Sequence, residues 1–197
     1  MKRAFDIVAS GLGLIILSPL FAVLAIWIKA DSPGPVFYRQ IRVGKNNRDF
    51  RLFKFRSMRP DSDKLGLITV GGHDPRVTRS GYYIRKYKFD ELPQLINVFI
   101  GDMSLVGPRP EVRKYVEMYT ADQMRVLSVR PGITSLASIR YRNENDILAA
   151  ADDPDRAYIE QVMPDKIAID LEYVGRASLW NDICLIFSTF KEIVTKR

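Results

Sequence analysis

Residues 7–28 read IVASGLGLIILSPLFAVLAIWI, a run without a single charge. As a helix it would be about 33 Å long at ~1.5 Å per residue, enough to cross the hydrocarbon of a bilayer. No small-residue cleavage pattern follows it, which argues against a signal peptide. Uncharged runs of this length are also rare in the cores of water-soluble domains. Ser18 and Pro19 stand at its centre. Pro19 removes a backbone donor and crowds the carbonyl of Ile15, so the helix is predicted to bend there. The Ser18 hydroxyl is expected to bond the carbonyl of Leu14 and so mend the broken ladder.

The flanks distinguish a spanning helix from a re-entrant one. Lys2 and Arg3 precede the run and Lys29 follows it; eight Lys and Arg side chains from Arg39 to Arg59 then stand against one acid, Asp49. Positive charge on both sides favours a segment whose two ends face the cytoplasm. In either case residues 31–197 are expected to form a cytoplasmic catalytic domain and residues 1–30 its membrane helix. The expected fold is α+β and mainly helical, with a small β-hairpin and amphipathic interface helices.

With 197 residues, 47% of them apolar, the chain suffices for one domain with a proper core. A net charge of +7 points to an anionic partner. One cysteine, Cys184, excludes an internal disulfide, and one histidine, His73, argues against a zinc site or a His-based triad. Acid–base or nucleophilic work must fall to carboxylates, lysines or hydroxyls.

After the stiff Asp31-Ser32-Pro33-Gly34-Pro35 linker, residues 36–42 and 49–56 read as two strands around a Gly44-Lys45-Asn46-Asn47 turn. Basic residues interleaved with aromatics could bind single-stranded nucleic acid. Directly after a membrane segment, anionic lipid headgroups fit better and no nucleic acid is expected. Residues 59–73 are polar and read as a loop, a candidate lid, in which His73 caps or packs.

The chemistry concentrates in residues 89–110, FDELPQLINVFIGDMSLVGPRP. Asp90 and Glu91 adjoin at what reads as a helix start, and Arg76, Arg79, Arg85 and Arg109 surround them. Asp90 could serve only as an N-cap, with Pro93 tolerated in the first turn. An N-cap, however, needs neither a second acid nor a cationic cluster. A helix start and several guanidiniums would keep a carboxylate ionised and cradle a phosphate. Carboxylates form covalent phosphoryl intermediates, and attack on a diphosphate would call for arginines and Mg²⁺ to neutralise its charge.

These motifs, together with KFRSM at 54–58, DPRVTRSG at 74–81, RPGIT at 130–134 and LEYV at 171–174, resemble the bacterial monotopic phosphoglycosyl transferases along essentially the whole chain. The resemblance implies transfer of a sugar-1-phosphate from a UDP-sugar to undecaprenyl phosphate at the bacterial inner membrane, with release of UMP, as the first membrane step of a surface glycan pathway. It implies Asp90 as the nucleophile and Glu91 as its partner, assisting Mg²⁺ binding or proton handling, with Asp90 and Glu91 as the candidate Mg²⁺ ligands. It implies Arg85, Arg109 and Arg142 as substrate contacts, with Arg76, Arg79 and Lys54 as further candidates, and a re-entrant helix broken at Ser18-Pro19. Two departures stand out: Lys88-Phe89 precede the dyad where a Ser-Leu pair is common, and Ser135 follows Thr134 where glycine is usual. A membrane-anchored binding module or an inactive assembly scaffold would account for the basic hairpin without using the dyad.

Residues 111–129 carry helical spacing, 145–168 read as solvated helices around Asp152-Asp153-Pro154, and 179–194 as an amphipathic helix. Trp180, Lys191, Lys196 and Arg197 would suit that last helix to a bilayer interface, and packing on the core suits it equally.

Overall fold

The computed structural model describes residues 1–60, 62 and 74–195, with side chains described as far as Thr189. The readings placed on most of 59–73, including the lid and His73, therefore lie outside the described residues. So do those placed on the side chains of Lys191, Lys196 and Arg197.

The apolar run forms one long helix, α1 (Lys2–Asp31), with Pro19 inside it. Ser18 donates to the carbonyl of Ile15 at 2.8 Å, not to that of Leu14 as expected. The reason is local. Ile15 is the residue whose carbonyl Pro19 cannot serve, so the hydroxyl fills the vacancy beside it. Along α1, Ile7, Val8, Leu12, Ile15, Ile16, Val23 and Ile26 are exposed. Its opposite face lies lengthwise on the rest of the chain. There the helix meets Phe99 at Gly11 and Leu95 at Gly13, and Leu24 and Ile28 pack with Phe55 and Ile84.

The hairpin forms close to its predicted limits, as β1 (Phe37–Val43) and β2 (Asp49–Phe55), antiparallel with Phe37 opposite Phe55 and Val43 opposite Asp49. Asn46 and Asn47 take positive φ in the turn, a conformation asparagine tolerates better than most residues. Not all of the hairpin's basic side chains are outward, since Arg42, Lys54 and Arg56 turn inward. Arg56 donates to the carbonyls of Ile28, Ser32 and Pro33. A cation thus sits at the negative end of α1, where the last carbonyls lack helical partners.

Helix α2 (Arg79–Lys86) starts at Arg79, where the Thr78 hydroxyl accepts from the Gly81 amide at 3.0 Å and caps it. Asp31 at the end of α1 accepts from both the amide and the hydroxyl of Ser80, at 2.9 and 2.8 Å, which ties the two helices together. A 3₁₀ turn (Phe89–Glu91) follows, then α3 (Gln94–Ile100).

A second strand pair was not foreseen. β3 (Ser104–Val106) lies parallel to β4 (Gly132–Thr134), with Ser104 opposite Gly132 and Val106 opposite Thr134. Between them the expected helix over 111–129 is broken into α4 (Arg113–Val116) and a 3₁₀ segment (Gln123–Ser128). The remainder is helical: α5 (Leu136–Arg140), α6 (Glu144–Ala149), α7 (Pro154–Ala157), a π-helical turn (Tyr158–Val162), α8 (Met163–Gly175) and α9 (Leu179–Thr195). These helices are less solvated than predicted, since Leu148, Tyr158, Val162, Met163 and Ile167 form a core with Val112 and Tyr115. On α9, Trp180 and Phe187 are exposed while Asp182 is buried. One face therefore packs on the body and the other is free for an interface.

Candidate active site

Three elements converge on the dyad. The hydrophobic cluster under α1 includes Phe89, which seats the 3₁₀ turn carrying Asp90 and Glu91. Asn97, wholly buried on α3, behaves as a piece of strand: its Oδ1 accepts from Phe53 N at 2.9 Å and its Nδ2 donates to Arg51 O at 2.8 Å. These bonds lay α3 along β2 and bring Lys54 beside Glu91. Arg109 arrives from the third side on the Gly107-Pro108-Arg109-Pro110 turn.

That turn is held by close backbone approach. Gly107 N donates to Thr134 O at 3.0 Å, and Gly132 N donates to Pro108 O at 2.9 Å. A Cβ on Gly132 would fall 2.1 Å from Gly107 N, and one on Gly107 would fall 2.4 Å from Arg130 O. The Gly-Pro-Arg-Pro and Arg-Pro-Gly motifs are thus two halves of one contact that admits only glycine. Beneath it lies Asp170, which is buried and faces the backbone amides of Ala137 and Arg109 and the Ser135 hydroxyl.

Glu91 is engaged through both oxygens, with Oε2 accepting a single bond. Lys54 Nζ donates to Oε1 at 3.2 Å, and both terminal nitrogens of Arg109 donate to the carboxylate, one of them to Oε2 at 3.3 Å. Burial alone would raise the Glu91 carboxyl, but Arg109 and Lys54 outweigh it and hold it well below the usual carboxylate range. Burial pushes Lys54 down against the pull of Glu91 and Asp90, while Glu91 pushes Arg109 up.

Asp90 differs. It is buried, yet its Oδ1 has no hydrogen-bond partner. Burial pushes its carboxyl up, and Glu91 adds to this; Lys54 and Arg85 act in the opposite direction. Nor does it cap α3, which starts four residues later without a side-chain cap. A buried carboxylate oxygen left unpaired is uncommon and calls for a reason.

The other predicted residues are placed as follows. Arg85, half-buried at the end of α2, bears on Asp90 through its charge. Arg79 is exposed in the first turn of α2. Arg76 is turned onto Asp74, its Nε 2.9 and 3.0 Å from the two carboxylate oxygens. Arg142 is exposed on the turn before α6, two residues from Glu144, whose charge acts on Arg109. Sequence reasoning missed Asn97, Asp170 and Asp6. Asp6 had a signal, as the acid that closes the charged stretch before the apolar run. It is 1% exposed and accepts from Ser104 Oγ at 2.9 Å and Leu105 N at 3.1 Å. Asp170 adjoins the LEYV stretch but carries no pattern of its own.

The model of one family, bacterial sugar transferase, matches residues 1–196. The chain belongs to the bacterial sugar transferase family. Among the family's curated proteins it is 42% identical over 99% of its length to the UDP-N-acetylgalactosamine-undecaprenyl-phosphate N-acetylgalactosaminephosphotransferase of Aeromonas hydrophila, covering 44% of that protein. It is 39% identical over its full length to the UDP-glucose:undecaprenyl-phosphate glucose-1-phosphate transferase of Escherichia coli K12, covering 41% of it. It is also 40% identical to the exopolysaccharide production protein PSS of Rhizobium leguminosarum, covering 96% of that chain. The chain thus spans less than half the length of the first two relatives and nearly all of the third. Within the family the described fold is mostly helical with small strand pairs and one apolar helix long enough to cross a membrane.

Among the described residues no group of three or more His, Cys, Asp or Glu side chains could hold a metal ion. The dyad nonetheless fits Mg²⁺, which typically takes one or two carboxylates and completes its shell with substrate phosphate and water. The unpaired Oδ1 of Asp90 offers one such oxygen.

Proposed function

We propose that the chain is a phosphoglycosyl transferase, moving a sugar-1-phosphate from a UDP-sugar to undecaprenyl phosphate with release of UMP. The observation that carries this reading is the contrast within the dyad: Glu91 is locked by Arg109 and Lys54, while buried Asp90 keeps an oxygen without a partner. The names of the relatives supply the substrate classes.

In this mechanism an Asp90 oxygen attacks the phosphorus that bears the sugar. The bond to the bridging oxygen breaks, UMP leaves with the electron pair, and an acyl phosphate carrying the sugar remains on Asp90. An oxygen of the lipid phosphate then attacks the same phosphorus and the Asp90 carboxylate is regenerated. Arg109 and Lys54 keep Glu91 ionised and oriented; the substrate's diphosphate would take its charge compensation from Arg85, Arg109 and Arg142, with Arg79 and Arg76 at the rim. Mg²⁺ held by Asp90 and Glu91 would supply neutralisation of the diphosphate charge.

The helix α1 is read as re-entrant from the cytoplasmic side of the inner membrane, bent at Ser18-Pro19. Both of its ends are bonded into the same body. Asp6 meets β3 and Arg3 donates to the carbonyls of Val98 and Phe99 at 2.5 and 2.9 Å; at the other end Asp31 meets Ser80 and Arg56 meets Ile28. A helix so attached would carry residues 31–197 on the side its first turn occupies.

The test combines the purified chain, Mg²⁺, a panel of UDP-sugars and undecaprenyl phosphate. UMP is released with at least one donor, and Asp90→Asn abolishes release while membrane association persists. Full turnover by that variant would refute the covalent route. Single cysteines near residue 2, in a Cys184→Ser background, should resist periplasmic labelling; efficient labelling would rule out the re-entrant reading.

A further inference from the structure

The outward face of α2 is aromatic. Tyr82, Tyr83 and Tyr87 are 43%, 50% and 43% exposed, a costly arrangement if the face met only water. The rings are linked. Trp27, on the flank of α1, lies 5.9 Å from Tyr83, and Tyr82 meets Tyr83 edge-on at 5.3 Å. Tyr83 and Tyr87 are one helical turn apart and so share a face. Tyr87 then stacks on Phe89 at 5.8 Å, and Phe89 is the residue before Asp90. A strip of rings thus leads from the apolar helix to the dyad.

Cations border it. Arg79 is exposed near its outer end. Lys86 Nζ lies 5.8 Å from the Tyr87 ring, and Lys88 is exposed at the inner end. Lys88 holds φ 59°, ψ 21°, a left-handed backbone that costs a lysine roughly 1 kcal/mol or more relative to glycine.

We propose that this strip is the track along which the apolar tail of a long polyprenyl phosphate lies, bringing its phosphate to Lys88 and Asp90. The proposal rests on the transferase reading and adds to it the path of the acceptor. An acceptor whose tail is in the bilayer must bring its single anionic group to a buried acid. The strip matches that ligand in kind and order. It begins beside the exposed apolar face of α1, stays one helix wide, and ends at a cation two residues from the dyad. Isoprene methyls pack on ring faces, and the phosphate meets Lys88.

The experiment measures KM for undecaprenyl phosphate, geranyl phosphate and the UDP-sugar, using the full chain in detergent and in phosphatidylglycerol vesicles. The Tyr82→Ser/Tyr83→Ser/Tyr87→Ser variant should raise KM for undecaprenyl phosphate about tenfold or more, the loss expected for ~1.4 kcal/mol of tail contact. KM for the UDP-sugar should stay within about twofold, KM for geranyl phosphate, whose tail reaches only the inner end of the strip, should rise less than that for undecaprenyl phosphate, and Tyr→Phe at the same positions should restore the wild-type value. An unmoved undecaprenyl phosphate KM overturns the track. So does an equal rise for donor and acceptor, or a loss of vesicle binding that accounts for the whole change. Should the triple variant fail to fold, Tyr87→Ser is read in the same way, and an unchanged acceptor KM there is equally decisive. Failure of the wild type to release UMP with any donor, with or without an acceptor of any tail length, would instead overturn the transferase reading, and failure only without acceptor would overturn the covalent route and leave the track untouched.

Discussion

Arg109 closes on the Glu91 carboxylate from a turn 18 residues away, with one guanidinium nitrogen on each carboxylate oxygen. Lys54 shares Oε1 from the opposite side at 3.2 Å. The planar fork of arginine matches a carboxylate in a way an ammonium cannot. Arg109→Lys should therefore keep the charge, lose the orientation of Glu91, and lower kcat/KM for UMP release by about a hundredfold. Arg109 is exposed enough that thermal stability should stay nearly unchanged.

Gly132 and Gly107 tie that arginine to the core. Gly132→Ala would bring a methyl to within 2.1 Å of Gly107 N, so the parallel pair must part and the Pro-Arg-Pro turn must shift. A displacement of about 1 Å at Arg109 corresponds to roughly a hundredfold loss of rate. The variant should accordingly fold, bind membranes and release UMP at about a hundredth of the wild-type rate.

Asn97 tests how the dyad helix is held. Replacing it with Ala leaves Phe53 N and Arg51 O without their side-chain partner in a buried setting. Each orphaned group costs about 1–3 kcal/mol, so thermal or denaturant unfolding should reveal a loss of roughly 2–4 kcal/mol.

Asp170 sets a pH dependence. Burial pushes its carboxyl up to about 6, from an ordinary 3.8. A raised acid binds its proton more tightly when folded, so its favourable contribution is complete below pH 3.8 and is lost as pH rises through about 6. Wild-type stability should fall across that window by at most roughly 3 kcal/mol, one pKa unit being ~1.4. In Asp170→Asn the slope should flatten, as followed by melting temperature against pH; an unchanged slope would assign the effect elsewhere.

Lys88→Asn addresses the left-handed residue before the dyad. Asparagine accepts φ 59° more readily, so stability should rise by about 0.5–1 kcal/mol. Undecaprenyl phosphate turnover should nevertheless fall, because the ammonium is gone. A variant gaining stability with unchanged acceptor KM would show that Lys88 has no part in binding.

Much of the chain could be read from local signals. The apolar run of α1, the hairpin about Asn46-Asn47 and the pairing of Asp90 with Glu91 depend on residues close in sequence, where hydrophobic runs, turn residues and adjacent charges act directly. The resemblance to the family likewise rested on short motifs, each legible as a local run of residues. Other features depend on residues far apart. The parallel pairing of 104–106 with 132–134 rests on two glycines that admit backbone contact, and neither advertises its partner. Likewise the split between the two acids, one locked by Arg109 and Lys54 and the other left with a bare oxygen, appears only when β2, the 3₁₀ turn and the Pro-Arg-Pro turn meet. Sequence alone thus determined which segments are apolar, which turn, and where the acids lie. Tertiary structure decided which cation each acid faces, because burial and pairing depend on distances that the order of residues does not contain.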